Sequence, residues 1–305
     1  MNDLAFAGAA ECVSADDISL VTASPGVSRF EDRYVTIKDI RLRYWQAGES
    51  GPPVLLLHGL NGCVEYWRWT VPALAAGHRV FALDGPGHGL SQPDERAFDL
   101  KFMLELVAAF MQSQGLARTS IVALSGGGLV ALAIALNLPE RLDKLVLCDA
   151  AGLGRGISPR LRLLSMLPPP PPGLINRPMR REDLRRWIRR AFFANPDALS
   201  EPMLDDFHAN LSRPHTMRTS SRLMRWGVNV FGQKNIFTRR LRHIQAPVLV
   251  VWGRQDRLLP VRHGERAARL IPNAQLKVFD PCGHLPMLER PDEFNRLVLR
   301  FLQGD

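Results

Sequence analysis

The chain has 305 residues, 46% of them hydrophobic and 23% charged, which is enough to bury a large core. The formal net charge is +9, and no stretch approaches the roughly 18 consecutive apolar residues of a membrane-spanning helix. Residues 1–28 carry an acidic residue where a signal peptide would be basic, and we expect them to form a flexible leader.

The cysteines argue for a reducing compartment. Cys12, Cys63, Cys148 and Cys282 show neither CxxC spacing nor the spacing of metal ligands. We therefore expect four reduced thiols in an intracellular protein, and we predict a cytoplasmic location.

Strand and helix signals alternate in the way that builds a mostly parallel, doubly wound sheet of the α/β class. An antiparallel pair within residues 34–46 is expected to open the sheet. Short apolar runs predict buried strands at residues 54–58, 80–84, 120–124, 144–149, 248–253 and 275–280. Helices are predicted at residues 100–114, 127–137, 261–270 and 292–303.

The alternation fails from about residue 152 to 235, where a proline run at 168–172 and short helical patterns replace the strands, with no good strand signal. We predict an inserted helical cap at residues 153–236, with the core formed by residues 29–152 and 237–305. The cap holds 15 basic and 6 acidic residues, so the whole net charge of +9 belongs to it.

This charge favours an anionic small molecule or an anionic membrane surface as the partner of the cap. Nucleic acid is not expected, because no nucleic-acid-binding motif accompanies the charge. The default interpretation remains a soluble lid whose arginines face water.

A single serine follows the strand predicted at 120–124. Ser125 stands in the sequence Ala-Leu-Ser-Gly-Gly and precedes a long apolar helix. A strand, a sharp turn and a helix form the context of a nucleophile elbow, in which the neighbours of the nucleophile must be small. Ala123 takes the place of the usual first glycine and is still small. By itself, a serine among glycines is more often a turn than a nucleophile.

Two later loops supply the groups that a serine nucleophile needs, which are a base and a carboxylate that orients the base. Asp256 follows the strand at 248–253, and His284 follows the strand at 275–280. Asp149 ends the neighbouring strand and is the rival of Asp256 for the role of the acid.

Five motifs together resemble the α/β-hydrolase superfamily, in its capped, esterase-like or lipase-like branch with a serine nucleophile. The resemblance covers roughly residues 33–303. Its motifs are Leu-His-Gly-Leu at 57–60, Asp-Gly-Pro-Gly-His-Gly-Leu-Ser at 84–91, Ala-Leu-Ser-Gly-Gly at 123–127, Trp-Gly-Arg-Gln-Asp at 252–256 and Cys-Gly-His-Leu-Pro at 282–286.

The resemblance implies an α/β-hydrolase fold and a catalytic triad of Ser125, Asp256 and His284, in the chain order of the superfamily. It also implies an oxyanion hole formed by the backbone N–H groups of Leu60 and Gly126. His58 and the loop at 84–91 are expected to have structural roles.

The reaction that we expect is hydrolysis of a carboxylic ester, or a related acyl bond, through an acyl-enzyme, without a metal or an organic cofactor. A first alternative is a carbon–carbon bond hydrolase acting on a dienoic diketone acid. Those enzymes typically carry an asparagine directly before the nucleophile, whereas this chain has Leu124. A second alternative is a receptor of the same fold that binds its ligand without turnover.

Overall fold

The structure is a computed structural model that describes residues 30–167 and 179–304. The predicted leader at 1–28, Cys12 and the proline run at 168–172 lie outside the described residues.

An eight-stranded sheet forms the core. Its strands are β1 (Arg33–Ile37), β2 (Ile40–Ala47), β3 (Pro53–Leu57), β4 (Arg79–Leu83), β5 (Thr119–Leu124), β6 (Leu142–Cys148), β9 (Val248–Gly253) and β10 (Ala274–Phe279). Their order in the sheet is β1-β2-β4-β3-β5-β6-β9-β10. The pairs β1–β2 and β2–β4 are antiparallel, and all other neighbours are parallel. The predicted mostly parallel α/β sheet is therefore confirmed.

Both faces of the sheet are buried, because successive side chains of a strand point to opposite faces. In β3, Leu55 and Leu57 belong to one hydrophobic cluster, whereas Val54 and Leu56 belong to the other. Apolar side chains on both faces explain why the parallel strands read as continuous hydrophobic runs in the sequence.

Some helices pack against the sheet, and others belong to the segment predicted as a cap. They are α1 (Thr70–Ala75), α2 (Leu100–Ser113), α3 (Gly126–Asn137), α4 (Pro159–Met166), α5 (Arg181–Phe192), α6 (Glu201–Leu211), α7 (Pro214–Gly227), α8 (Arg262–Leu270), α9 (Pro286–Glu289) and α10 (Pro291–Gln303). The four helices predicted from the sequence correspond to α2, α3, α8 and α10. None of the helices within 30–167 and 179–304 combines the length and the apolar composition needed to cross a bilayer.

The segment predicted as a cap contains α4 to α7 and a short hairpin, formed by β7 (Val228–Asn229) and β8 (Gly232–Gln233). The expectation that this segment holds no strand is wrong at the hairpin. Strands of two residues are too short to produce an alternating pattern in the sequence. The division of the chain into a core and a cap domain stays a prediction.

Candidate active site

Ser125 lies at the sharp turn between β5 and α3, with φ +49° and ψ −114°. A positive φ is unusual for a residue with a side chain and stores local strain. Three backbone hydrogen bonds hold the turn. The Ser125 N–H donates to the Cys148 carbonyl at 2.9 Å, and the Ser125 carbonyl accepts from Gly128 at 3.0 Å and Ala151 at 2.9 Å. The backbone therefore has the strained geometry expected of a nucleophile elbow.

The loop after β3 packs directly against this turn, and glycines make the approach possible. A Cβ atom added at Gly59 would lie 2.7 Å from the Cβ of Ser125. A Cβ atom added at Gly127 would lie 2.6 Å from the carbonyl oxygens of Leu57 and His58. A larger residue at either position would push the loop away from the serine.

The two N–H groups predicted to form the oxyanion hole come from neighbouring segments. Gly126 is the first residue of α3, so its N–H has no partner within the helix. A Cβ atom on Gly126 would lie 3.4 Å from the backbone nitrogen of Leu60. Both residues line the same cavity as Ser125.

Asp256 and His284 form a buried hydrogen-bonded pair. His284 Nδ1 donates to Asp256 Oδ2 at 2.8 Å, and the two side chains are 4% and 0% exposed, respectively. The other carboxylate oxygen, Oδ1, accepts from the N–H groups of Leu258 at 2.7 Å and Leu259 at 3.1 Å. This fixed carboxylate holds the imidazole tautomer that leaves Nε2 able to accept a proton. His284 lines the cavity beside Ser125.

Asp149, the other candidate for the acid of the triad, lies beside this pair and has other hydrogen-bond partners. Its carboxyl oxygen lies within 4.8 Å of the ligand atoms of Asp256 and His284. It is fully buried and accepts a hydrogen bond from the Gly253 N–H at 3.0 Å. Burial, together with the charge of Asp256, raises the pKa of Asp149 well above its usual value. The raised pKa favours the protonated form of Asp149.

Among residues 30–167 and 179–304, these three side chains form the one group whose ligand atoms lie close enough together to hold a metal ion. The absence of a metal requirement stays a prediction.

A cavity of about 540 Å³ extends from Ser125 between the core and the segment predicted as a cap. Its wall is mostly apolar, with side chains such as Leu161, Trp187 and Met224 from α4, α5 and α7. Three exposed arginines also line it, namely Arg160, Arg190 and Arg257. Sequence analysis predicted a basic cap, to which Arg160 and Arg190 belong, but did not place these three side chains in one cavity, because they are remote from one another in the chain.

The roles predicted for His58 and for the loop at 84–91 agree with the contacts. His58 Nε2 accepts from the Gly85 N–H at 2.9 Å, and burial lowers the pKa of His58 to about 4. This neutral histidine joins two loops and is not placed as a second base. Gly89 has φ +53°, and a Cβ atom there would lie 1.9 Å from Asp84 Oδ2, so the turn requires glycine.

Asn210 of α6 is a buried polar residue beside the predicted oxyanion loop, and the sequence analysis did not find it. Its side chain is buried, donates to the Asn61 carbonyl at 2.8 Å and accepts from the Gly89 N–H at 3.2 Å. Asn61 adjoins Leu60, so α6 is tied to the loop of the predicted oxyanion hole. No motif marks an isolated asparagine on a helix.

A family model described as Alpha/beta hydrolase family matches residues 54–297. The chain belongs to the alpha/beta hydrolase family. This alpha/beta hydrolase is 35% identical over 282 residues to the 2-hydroxy-6-oxononadienedioate/2-hydroxy-6-oxononatrienedioate hydrolase 2 of Pseudomonas putida, a match that covers 87% of this chain and 92% of the relative.

Solved structures show the same fold. The 2-hydroxy-6-oxo-6-phenylhexa-2,4-dienoate hydrolase from Rhodococcus sp. strain RHA1 superposes with a TM-score of 0.77 at 25% identity, covering 90% of this chain and 99% of that one. A membrane phospholipase A described as a bacterial virulence factor superposes with a TM-score of 0.76 at 26% identity, covering 90% and 86%. The chain is thus a hydrolase by family, similar to enzymes that act on different bonds.

Proposed function

We propose that Ser125 is the nucleophile of this hydrolase, that His284 is its base, and that Asp256 orients the histidine. His284 Nε2 takes the hydroxyl proton as the Ser125 oxygen attacks a carbonyl carbon. The N–H groups of Leu60 and Gly126 stabilise the negative charge that develops on the carbonyl oxygen. The hydrogen bond of 2.8 Å between His284 and Asp256 supports this assignment.

The acyl group then remains on the serine. The electron pair of the broken bond leaves with the other fragment, which takes the proton from His284. A water molecule cleaves the acyl-serine ester, with His284 again acting as base, and releases a carboxylic acid. This scheme applies to an ester and to a carbon–carbon bond next to a ketone.

We infer that the substrate is a dienoic diketone acid and that the enzyme breaks a carbon–carbon bond. The observation that carries this proposal is the similarity, over 92% of its length, to a relative named as a hydrolase of such an acid. The three arginines of the cavity add support. None of Arg160, Arg190 and Arg257 has a carboxylate ion-pair partner in the part of the chain that the structure describes. Unpaired guanidinium groups suit a substrate carboxylate.

A carboxylic ester is the second candidate. Leu124 favours it, because carbon–carbon hydrolases of this kind typically carry an asparagine directly before the nucleophile. The mostly apolar wall of the cavity and the similarity in fold to a membrane phospholipase A also favour an acyl chain.

The decisive experiment compares kcat/KM of the purified enzyme on a ring-fission dienoic diketone acid and on p-nitrophenyl esters of graded chain length. We expect the diketone acid to be the better substrate. Turnover of esters alone would replace the carbon–carbon proposal with the ester proposal. Ser125→Ala should keep the fold and lose activity on either substrate by roughly 10⁶-fold. A fluorophosphonate probe should label Ser125, and labelling at another residue would overturn the triad.

The arginines provide a second test with a matched control. Arg190→Gln and Arg257→Gln should raise KM for the diketone acid and leave KM for a neutral ester unchanged. Arg186→Gln, on the same helix as Arg190 but ion-paired with Asp183, should change neither. An equal effect on acid and ester would contradict a role in carboxylate binding.

A further inference from the structure

Exposed apolar side chains lie on two adjoining elements, the helix α4, which also lines the cavity, and the β7–β8 hairpin. On and directly after α4, Leu163 is 60%, Met166 56% and Leu167 49% exposed. At the tip of the β7–β8 hairpin, Val230 is 46% and Phe231 72% exposed. The helix α4 packs against β7 and α7, so the helix and the hairpin adjoin. We call these five side chains the apolar surface.

Basic residues lie on and next to the elements that carry the apolar surface. The Arg155 carbonyl accepts from the Gln233 N–H of β8 at 2.9 Å, which places Arg155 against the hairpin. Lys234 follows β8, and its Nζ donates to the Arg225 carbonyl at 3.0 Å. Arg160 and Arg162 belong to α4 itself.

The segment predicted as a cap contains two groups of basic side chains, one that forms ion pairs with carboxylates and one that does not. On α5, Arg181, Arg185 and Arg186 each form ion pairs with nearby carboxylates. Around the apolar surface, the cations have no carboxylate ion-pair partner among residues 30–167 and 179–304; they are Arg155, Arg160, Arg162, Arg225 and Lys234. Their positive charge is therefore not neutralised within the described part of the chain.

The sequence explains this difference. Residues 150–181 and 207–255 contain no aspartate or glutamate. The helices α4 and α7 and the hairpin come entirely from these two stretches. The elements that carry or adjoin the apolar surface therefore contain basic residues and no acidic ones.

We infer that the apolar surface and its surrounding cations form a docking face for an anionic phospholipid bilayer. Burial of hydrocarbon and attraction to anionic headgroups add in an interfacial segment. Arg160 and Leu161 of α4 also line the cavity, so docking would bring the cavity mouth to the membrane. The inference does not depend on which bond the enzyme cleaves.

Flotation of the full chain with vesicles tests the docking face, and the Ser125→Ala background removes any effect of lipid hydrolysis. One set of vesicles contains phosphatidylcholine alone, and the other contains phosphatidylcholine and phosphatidylglycerol in equal parts. We expect binding to the anionic vesicles, weakened by salt, because salt screens exposed charges beyond about 10 Å at 0.1 M. Binding to neither set of vesicles, or binding that salt leaves unchanged, would overturn the inference.

Amino-acid substitutions test which residues form the docking face. Replacing Arg155, Arg225 and Lys234 by glutamine should weaken binding on the order of 100-fold, from the usual contribution of a basic residue near an anionic surface. Phe231→Ser should also weaken it, whereas Leu276→Ser, at an exposed leucine of the edge strand β10, should not. Circular dichroism and thermal melting check the fold of each variant. Wild-type binding by the triple variant, or equal losses for Phe231→Ser and Leu276→Ser, would place the contact elsewhere.

Discussion

At the scale of single residues, two neighbouring carboxyl groups, Asp149 and Asp256, have different hydrogen-bond partners. Asp256 is the partner of His284 Nδ1, and its other oxygen receives two backbone N–H groups. Asp149 accepts hydrogen bonds from the Gly253 N–H and from the Cys148 thiol, and burial together with the charge of Asp256 raises its pKa. Two buried carboxyl groups this close disfavour ionisation of both, and the raised pKa favours the protonated form of Asp149.

Substitution by asparagine should distinguish the two carboxyl groups. Asp256→Asn should lower kcat by about 10⁴-fold, because an amide supports the wrong histidine tautomer. Asp149→Asn should stay within about tenfold of wild type, because an amide resembles the protonated carboxyl group that the raised pKa favours and still donates a hydrogen bond. Steady-state kinetics on the better substrate measure both, with circular dichroism as the control for folding. The opposite order of the two losses would make Asp149 the acid of the triad.

At the scale of elements, one buried arginine joins β2 to the segments around it. The Arg43 side chain is 3% exposed and forms ion pairs with Asp32 at 2.7 Å, Asp84 at 3.2 Å and Glu65. These carboxylates precede β1, follow β4 and lie in the short helix after β3, respectively. The loop at 84–91, which belongs to the superfamily motifs, is therefore anchored through Arg43.

Arg43→Met should lower the free energy of unfolding by about 3–5 kcal/mol, because it leaves buried carboxylates without their counter-charge. Lys101→Met is the control, since Lys101 is 76% exposed and pairs with Glu105 on the surface of α2. This control should cost about 1 kcal/mol or less. Urea denaturation measures both values, and similar losses for the two variants would contradict the importance of burial.

At the scale of the whole molecule, buried ionisable groups make stability depend on pH. Burial and the nearby His58 lower the pKa of His88 to about 3. The unfolded chain binds a proton at this histidine near its usual pKa of about 6.5, whereas the folded chain does not. The contribution of His88 to stability is therefore lost as the pH falls below about 6.5. The raised pKa values of Asp84 and Asp149 act in the opposite direction.

A variant isolates the effect of the histidine from that of the carboxyl groups. Between about pH 7 and pH 5, the free energy of unfolding should fall by about 2 kcal/mol less in His88→Gln than in wild type. The exposed His243 provides the control, because His243→Gln should leave the pH dependence unchanged. Urea midpoints at the two pH values give the comparison. An unchanged pH dependence in His88→Gln would show that this histidine titrates normally in the folded chain.

The sequence by itself determined the parallel sheet, the elbow at Ser125 and the loops that carry Asp256 and His284. These features depend on local patterns, since a buried parallel strand is a continuous apolar run and an elbow needs small neighbours. The sequence also gave the total charge of residues 153–236. It missed the hairpin at 228–233, whose strands are too short for a pattern, and Asn210, which no motif marks.

The tertiary structure shows which of two carboxyl groups contacts the histidine, a choice that the sequence supported only through the superfamily motif at 252–256. Asp149 and Asp256 both follow parallel strands that are neighbours in the sheet, so the strand pattern alone does not separate them. The hydrogen bond from His284 Nδ1 to Asp256 does so. The structure likewise shows which arginines of residues 153–236 form ion pairs with carboxylates. Ion pairs depend on distances between side chains that are remote in the sequence.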